Sequence, residues 1–140
     1  PYAGAFKARL AELAAADPRV RLPGAIYGDG YRDLQRGALA YIQATSVGGT
    51  HPALIEAMGA GNVVLAFATP ENVEVTAGSG LLFRTEAELT TQLARIVSDP
   101  SAPELAALRA AARERVAAAY SWDAVTDAYL ELWRSLGAGA

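Results

Sequence analysis

The chain has 140 residues, 52% of them hydrophobic and 19% charged, which is the composition of one globular domain and excludes a disordered tail. Twelve Lys and Arg against fifteen Asp and Glu leave a formal net charge of −3, so the chain lacks the electrostatic footprint of a nucleic-acid binder. With no cysteine and one histidine, disulfides, thiolate zinc sites, cysteine nucleophiles and multi-histidine metal clusters are excluded as well.

A domain of this size buries roughly 70% of its unfolded surface, enough for a core without staples. Much of the hydrophobic share is alanine, in the runs Ala14-Ala15-Ala16, Ala110-Ala111-Ala112 and Ala117-Ala118-Ala119, which favour helices but add little apolar area. The strongest apolar run, 63–68, falls far short of the roughly 20 residues of a membrane helix. The N-terminus has no signal-peptide layout, and a soluble chain is expected.

In chain order, residues 2–16 read as a helix with Phe6, Leu10 and Leu13 at helical spacing, stopped by Asp17-Pro18. An α/β domain usually begins with a strand, so this helical start leads us to expect that something upstream is missing. A short apolar stretch, Val20-Arg21-Leu22, opens an expected strand over 20–26. Then come a helix at 31–37, a strand at 39–43, a helix at 52–60, a strand at 63–67, a helix at 70–77 and a strand at 81–83. Strands separated by helices pair in parallel through right-handed crossovers. Thr69 precedes Pro70 at a helix start, and Thr85 with Glu88 and Ser101 with Glu104 have capping-box spacing. Beyond Phe83 the pattern is helical, at about 85–98, 102–119 and 122–136. Trp122 and Trp133 read as packing residues, and the last four residues, Gly137 to Ala140, as a frayed end.

In an open parallel sheet, ligands sit beyond the carboxyl ends of the strands. The loops expected there are 23–30, with Gly24, Tyr27, Gly28, Asp29 and Gly30; 44–51, with Ser46-Val47-Gly48-Gly49-Thr50-His51; and 67–69, with Thr69. Gly48-Gly49 lets a ligand approach the main chain, and the helix that follows starts with amides lacking internal partners, an end that attracts anions. The alternative is a plain turn with Thr50 capping the helix. Glu56 lies one turn into a helix that is otherwise apolar and therefore expected to be buried. A carboxylate there needs donors, either a sugar's vicinal hydroxyls or an arginine such as Arg32 or Arg36. His51, the single histidine, suits donation to phosphate or helix capping. Glu71 and Glu74 suit the positive end of helix 70–77, with a ligand role for Glu74 as the alternative. Gly28-Asp29-Gly30 lacks the third glycine of a dinucleotide fingerprint, and Lys7, the one lysine, is no Walker lysine.

The segment Gly48-Gly49-Thr50-His51-Pro52-Ala53-Leu54-Ile55-Glu56-Ala57-Met58-Gly59-Ala60-Gly61-Asn62-Val63-Val64 resembles the donor-binding signature of retaining GT-B glycosyltransferases of family four. The stretch Arg19-Val20-Arg21-Leu22-Pro23-Gly24 is similar to that family's strand followed by glycine. Pro70-Glu71-Asn72-Val73-Glu74-Val75 with Ala77-Gly78-Ser79-Gly80-Leu81 is similar to its proline-glutamate helix and following strand, and Tyr120-Ser121-Trp122 to its last-helix signature. The resemblance covers nearly the whole chain. The Val-Gly-Gly-Thr-His-Pro form is nearest to a subgroup of bacterial rhamnosyltransferases.

The resemblance implies an α/β, Rossmann-like parallel sheet with flanking helices, the C-terminal donor-binding half of a GT-B fold over 1–140, truncated at its N-terminus. It implies a nucleoside-diphosphate sugar as donor substrate, bound without a metal or other cofactor, and transfer of a hexose or deoxyhexose to a glycan or lipid-linked acceptor held by an N-terminal half. Bacterial polysaccharide synthesis in the cytoplasm, with the whole enzyme peripheral on the inner membrane face, is the setting it implies. By the same resemblance, Gly48, Gly49, Thr50 and His51 take the diphosphate and Glu56 the ribose. Gly24, Ala25 and Tyr27 meet the base, while Ser46 and Glu74 lie on the donor side. The family's first glutamate, eight positions before the second, is here Gly48, and Ser46 stands where the subgroup often carries a glutamate, so the carboxylate assigned to sugar recognition is replaced. The resemblance places two further strands upstream of the helix at 2–16, lying in the sheet order between 20–26 and 39–43; this chain has neither, and the isolated chain is expected to be inactive. Two other readings stand beside this one: a non-catalytic sugar-nucleotide or carbohydrate binding module, and an α/β interaction fragment that self-associates through an open sheet edge.

Overall fold

Proline-started helices alternating with short apolar strands build a parallel sheet, as the computed structural model, which describes residues 3–137, shows. The chain divides into two compact units, Pro1–Arg32 and Asp33–Ala140.

In the first unit, helix α1 (Gly4–Ala16) buries none of its residues, and Phe6, Leu10 and Leu13 are all exposed. Its predicted first residue, position 2, lies outside the described residues. Asp17 ends the helix in an extended conformation, and its carboxylate accepts from the Arg19 backbone N–H at 3.0 Å and the Arg19 guanidinium at 2.6 Å. That hydrogen bonding from Arg19 holds the Asp17 carboxyl below its ordinary pKa.

The strand expected over 20–26 does not form, and residues 20–27 are irregular. A strand persists only where a neighbour completes its ladder, and among the described residues no strand pairs with this segment. Helix α2 (Gly28–Gly37) begins three residues earlier than the 31–37 helix read from the sequence, so Gly28, Asp29 and Gly30 form its first turn instead of a ligand loop. Asp29 complements the helix dipole there and pairs with Arg32 at 2.7 Å, offsetting the two glycines.

The second unit takes up the rest of α2 and continues through β1 (Ala40–Gln43), α3 (Pro52–Ala60), β2 (Val63–Phe67), α4 (Pro70–Thr76), β3 (Leu81–Phe83), α5 (Glu86–Ser98), α6 (Pro103–Ala119) and α7 (Trp122–Gly137). The sheet is parallel, ordered β1-β2-β3, with Gln43 opposite Ala66 and Phe67 opposite Phe83. β2 is covered on both faces. Val64 and Ala66 pack with Leu54, Ala57, Met58, Val75 and Ala112, while Val63 and Leu65 pack with Phe83, Ile96 and Leu105. Alternate residues of one strand thus feed two cores, the geometry that favours a run apolar at every position. Of the three alanine runs, only Ala112 is buried.

The helix ends follow their local chemistry. α3 closes in a Schellman motif, with Gly61 at φ +83°, its N–H donating to the Met58 carbonyl and the Asn62 N–H to the Ala57 carbonyl, both at 3.0 Å. The buried Asn62 amide also donates to the Gln35 carbonyl at 2.7 Å, tying the end of α2 to this turn. Thr69 caps α4, accepting from the Asn72 N–H at 3.2 Å, but α4 stops at Thr76, one residue short of its expected end, and Ala77 takes a left-handed conformation at φ +44°. Thr85 caps α5 in the same way.

The capping box expected at Ser101 and Glu104 is absent. Ala102 occupies the N-cap with no side-chain bond, because Ser101 is engaged by Asp99, to which its hydroxyl donates at 2.8 Å, and Glu104 pairs with Arg95 at 3.2 Å. The packing role expected of the tryptophans also fails: Trp122 is 85% and Trp133 68% exposed, because α7 buries none of its residues. Of the expected frayed end, Gly137 is the last residue of α7, and the other three residues lie outside the described part. No helix among the described residues is long and apolar enough to cross a membrane.

Candidate functional site

Parallel pairing of β1 with β2 sends the loops 44–51 and 67–69 off the same, carboxyl edge of the sheet. The loop after β3 leaves there too, and the Ala68 N–H donates to the Phe83 carbonyl at 2.9 Å. Two of the three ligand loops read from the sequence are therefore brought together. The third, carrying Gly24, Ala25 and Tyr27, belongs to the first unit, where all three residues are exposed and Gly24 lies at φ +78°.

The glycine loop enters α3 as expected, with Pro52 at its first position. His51 occupies the N-cap by its backbone, yet makes no side-chain capping bond, and Thr50 is not the cap. The capping alternative for Thr50 is thereby set aside, while His51 takes the capping position through its backbone alone. The His51 carbonyl accepts from Leu54 N–H at 3.0 Å and Ile55 N–H at 3.3 Å. Pro52 has no N–H, so Ala53 is the residue of the first turn whose amide is not drawn back onto the helix.

The His51 ring lies over Gly48. A Cβ built on Gly48 would stand 2.9 Å from His51 Cε1 and 3.3 Å from Nε2, and Gly48 lies at φ +134°. The backbone angle favours glycine here, and any Cβ would also oblige the His51 ring to turn aside. This gives a physical reason for the absence of a carboxylate where the resembling family has its first glutamate.

Glu56 corrects the sequence reading. The helix carrying it is buried along Leu54, Ala57 and Met58, but Glu56 itself faces outward and is exposed. An amphipathic helix keeps one stripe in solvent even when most of its residues are apolar, so no desolvation cost compels a donor. Arg32, one of the arginines considered as its partner, is engaged by Asp29. Glu56 instead lies close enough to Tyr41 for its charge, after burial, to push the phenol's pKa above its ordinary value. Ser46 and Glu74 are exposed as well. The carbonyls of Glu74 and Val75 accept from the Arg115 guanidinium at 3.1 and 3.4 Å, an arrangement that closes the end of α4.

Four residues in this region escaped the sequence reading. Tyr41 donates its hydroxyl to Gln43 Oε1 at 3.0 Å, and Gln43 Nε2 donates to Thr45 Oγ1 at 2.7 Å. Their signal was present in the sequence: positions 41, 43 and 45 alternate along one strand and its continuation, and all three side chains are polar or amphipathic. The fourth is the fully buried Asn72, whose side-chain amide donates to the Phe67 carbonyl at 2.9 Å while Oδ1 finds no hydrogen-bond partner among the described residues. Among the described residues there is no group of three or more His, Asp or Glu side chains that could hold a metal ion.

A parallel α/β sheet with flanking helices and a glycine loop entering a helix at its carboxyl edge is a Rossmann-like arrangement, and comparison with a solved structure supports a glycosyltransferase-like fold. The chain is similar to sucrose-phosphate synthase from Thermosynechococcus elongatus, with 27% sequence identity and a TM-score of 0.75 over 98% of this chain. The chain spans 36% of the length of that synthase. No family model and no curated protein sequence matches.

Proposed function

We propose that the chain is the donor-binding part of a retaining glycosyltransferase that binds a nucleoside-diphosphate sugar and transfers a hexose or deoxyhexose to a glycan or lipid-linked acceptor. The observation that carries this reading is the exposed carboxylate of Glu56 on the solvent stripe of α3, one turn beyond the glycine loop at the carboxyl edge. There the carboxylate lies at the surface, where a ribose diol can reach it. The loop amides at Gly48, Gly49 and Thr50, with the His51 ring, supply donors for a diphosphate, whose negative charge grows as the glycosidic bond breaks. Gly24, Ala25 and Tyr27 are the residues proposed to meet the base, with Ser46 and Glu74 on the donor side. We assign no metal or other cofactor and place the enzyme in the cytoplasm. Family four, with its rhamnosyltransferase subgroup, is the finer assignment, supported by the ordered motifs from Gly48 to Trp122.

Calorimetry of the full-length enzyme with UDP, GDP and dTDP tests this reading. One diphosphate is expected to bind preferentially, and Glu56→Ala to weaken it about tenfold, the loss of one hydrogen bond to a charged group. Absence of binding, or equal binding by the variant, would overturn the ribose assignment. Gly48 favours a second reading, a non-catalytic sugar-nucleotide binder, because it stands where the resembling family has its first carboxylate, at a backbone angle of φ +134° that disfavours a side chain. Donor hydrolysis or sugar transfer by the full-length protein discriminates between the two.

A further inference from the structure

We infer that Thr45 is a ligand-facing phosphate donor and that Gln43 is the positioning residue that aims it. This rests on the nucleotide-sugar reading above and assigns residues that the family resemblance leaves without a role.

The inference starts from the hydrogen-bond chain along β1. Gln43, the last residue of the strand, is 6% exposed and cannot satisfy its amide with bulk water. Its two ends are used by strand neighbours instead: Oε1 accepts from the Tyr41 hydroxyl at 3.0 Å, and Nε2 donates to Thr45 Oγ1 at 2.7 Å. Thr45 is exposed and lies three residues before Gly48 on the loop that leads into α3. A threonine hydroxyl has one hydrogen and two acceptor lone pairs. Gln43 takes one lone pair, and the hydroxyl hydrogen, which no group among the described residues accepts, remains to be offered to a ligand at this exposed loop.

The Tyr41 end keeps the chain running in this direction. Burial first and the Glu56 carboxylate second disfavour the phenolate, so Tyr41 remains a protonated donor. Proton donation then passes from Tyr41 to Gln43, from Gln43 to Thr45, and from Thr45 outward. A donor held in this way suits a group that only accepts hydrogen bonds, and at an edge already furnished with glycine-loop amides that group is a phosphate oxygen of the nucleoside diphosphate.

The test is calorimetry on the full-length enzyme with UDP, GDP and dTDP and, in parallel, the corresponding nucleosides. Thr45→Val removes the hydroxyl at constant shape and is expected to weaken the preferred diphosphate about tenfold while leaving nucleoside binding unchanged; Tm falls in this variant because the buried Gln43 Nε2 loses its acceptor, and the unchanged nucleoside affinity separates the two effects. Thr45→Ser restores the diphosphate affinity. Gln43→Glu replaces the donor with an acceptor-only carboxylate that draws the Thr45 hydrogen inward, and it reproduces the Thr45→Val loss. If Thr45→Val binds the diphosphate like the wild type while Glu56→Ala is weakened, the inference fails and the functional reading stands. Equal losses for diphosphate and nucleoside would also overturn it, by removing the phosphate from the explanation. If the wild type binds none of the three diphosphates, the functional reading fails and this inference fails with it.

Discussion

At Gly48 a backbone angle and a neighbouring ring act on the same atom. With φ at +134° and a Cβ position 2.9 Å from the His51 ring, any side chain meets conformational strain and displaces the ring as well. Gly48→Glu, which restores the carboxylate of the resembling family, is therefore expected to lower stability by about 1–3 kcal/mol, the range for a non-glycine residue held in a sparsely populated region. Urea unfolding checks this, and adding His51→Ala should recover only the steric part. Tyr41 gives a pH prediction. Its pKa is raised above the ordinary 10.0, so the unfolded chain loses the proton first as pH rises. The stabilisation is fully present below pH 10.0 and disappears as pH rises through the folded-state value. A urea midpoint that falls above this pH in the wild type, and less steeply in Tyr41→Phe, is the expected result. Equal slopes would remove Tyr41 as the cause.

Among the elements, those with strong internal signals formed as read. Helices at Pro52 and Pro70 and the strands Val63–Phe67 and Leu81–Phe83 begin where the sequence places them, because proline at a first helical turn and a short apolar run are local facts. What failed depended on a neighbour that the sequence does not name. The segment 20–26 has strand composition without a ladder partner, Glu56 sits on the solvent stripe of an apolar helix, and Trp122 and Trp133 lie on a helix face that nothing covers among the described residues. The glycine loop leading into α3 was legible from its glycines. The Tyr41, Gln43 and Thr45 chain was not, because strand alternation shows only that they share a face, and their bonding depends on rotamers. Exposure also separates the two apolar classes energetically. Trp133→Ser is expected to change stability by no more than about 0.5 kcal/mol, as for an ordinary surface site, whereas Leu65→Ala in β2 should cost about 2–5 kcal/mol. Paired urea titrations check both, and a large loss for Trp133→Ser would mean that α7 packs in solution.

Across the whole chain, stability is divided very unevenly. In the second unit, Val63, Val64, Leu65 and Ala66 of β2 are fully buried between two cores, and their strand has a parallel neighbour on each side. In the first unit, α1 buries no residue and has neither an acidic residue in its first turn nor a basic one in its last. A helix below about 12–15 residues is marginal in water without packing, and α1 has 13. Local opening free energies run from near zero at such segments up to the global value in core strands. Native-state hydrogen exchange on the 140-residue chain should therefore show α1 amides exchanging close to their intrinsic rates, while those of β2 open only with global unfolding and quicken as denaturant is added. Limited trypsin digestion gives the same separation by a different route, with Lys7 and Arg9 cut before any site in α6. Protection of α1 equal to that of β2 would overturn this division, because burial and helix length would then have failed to rank the elements.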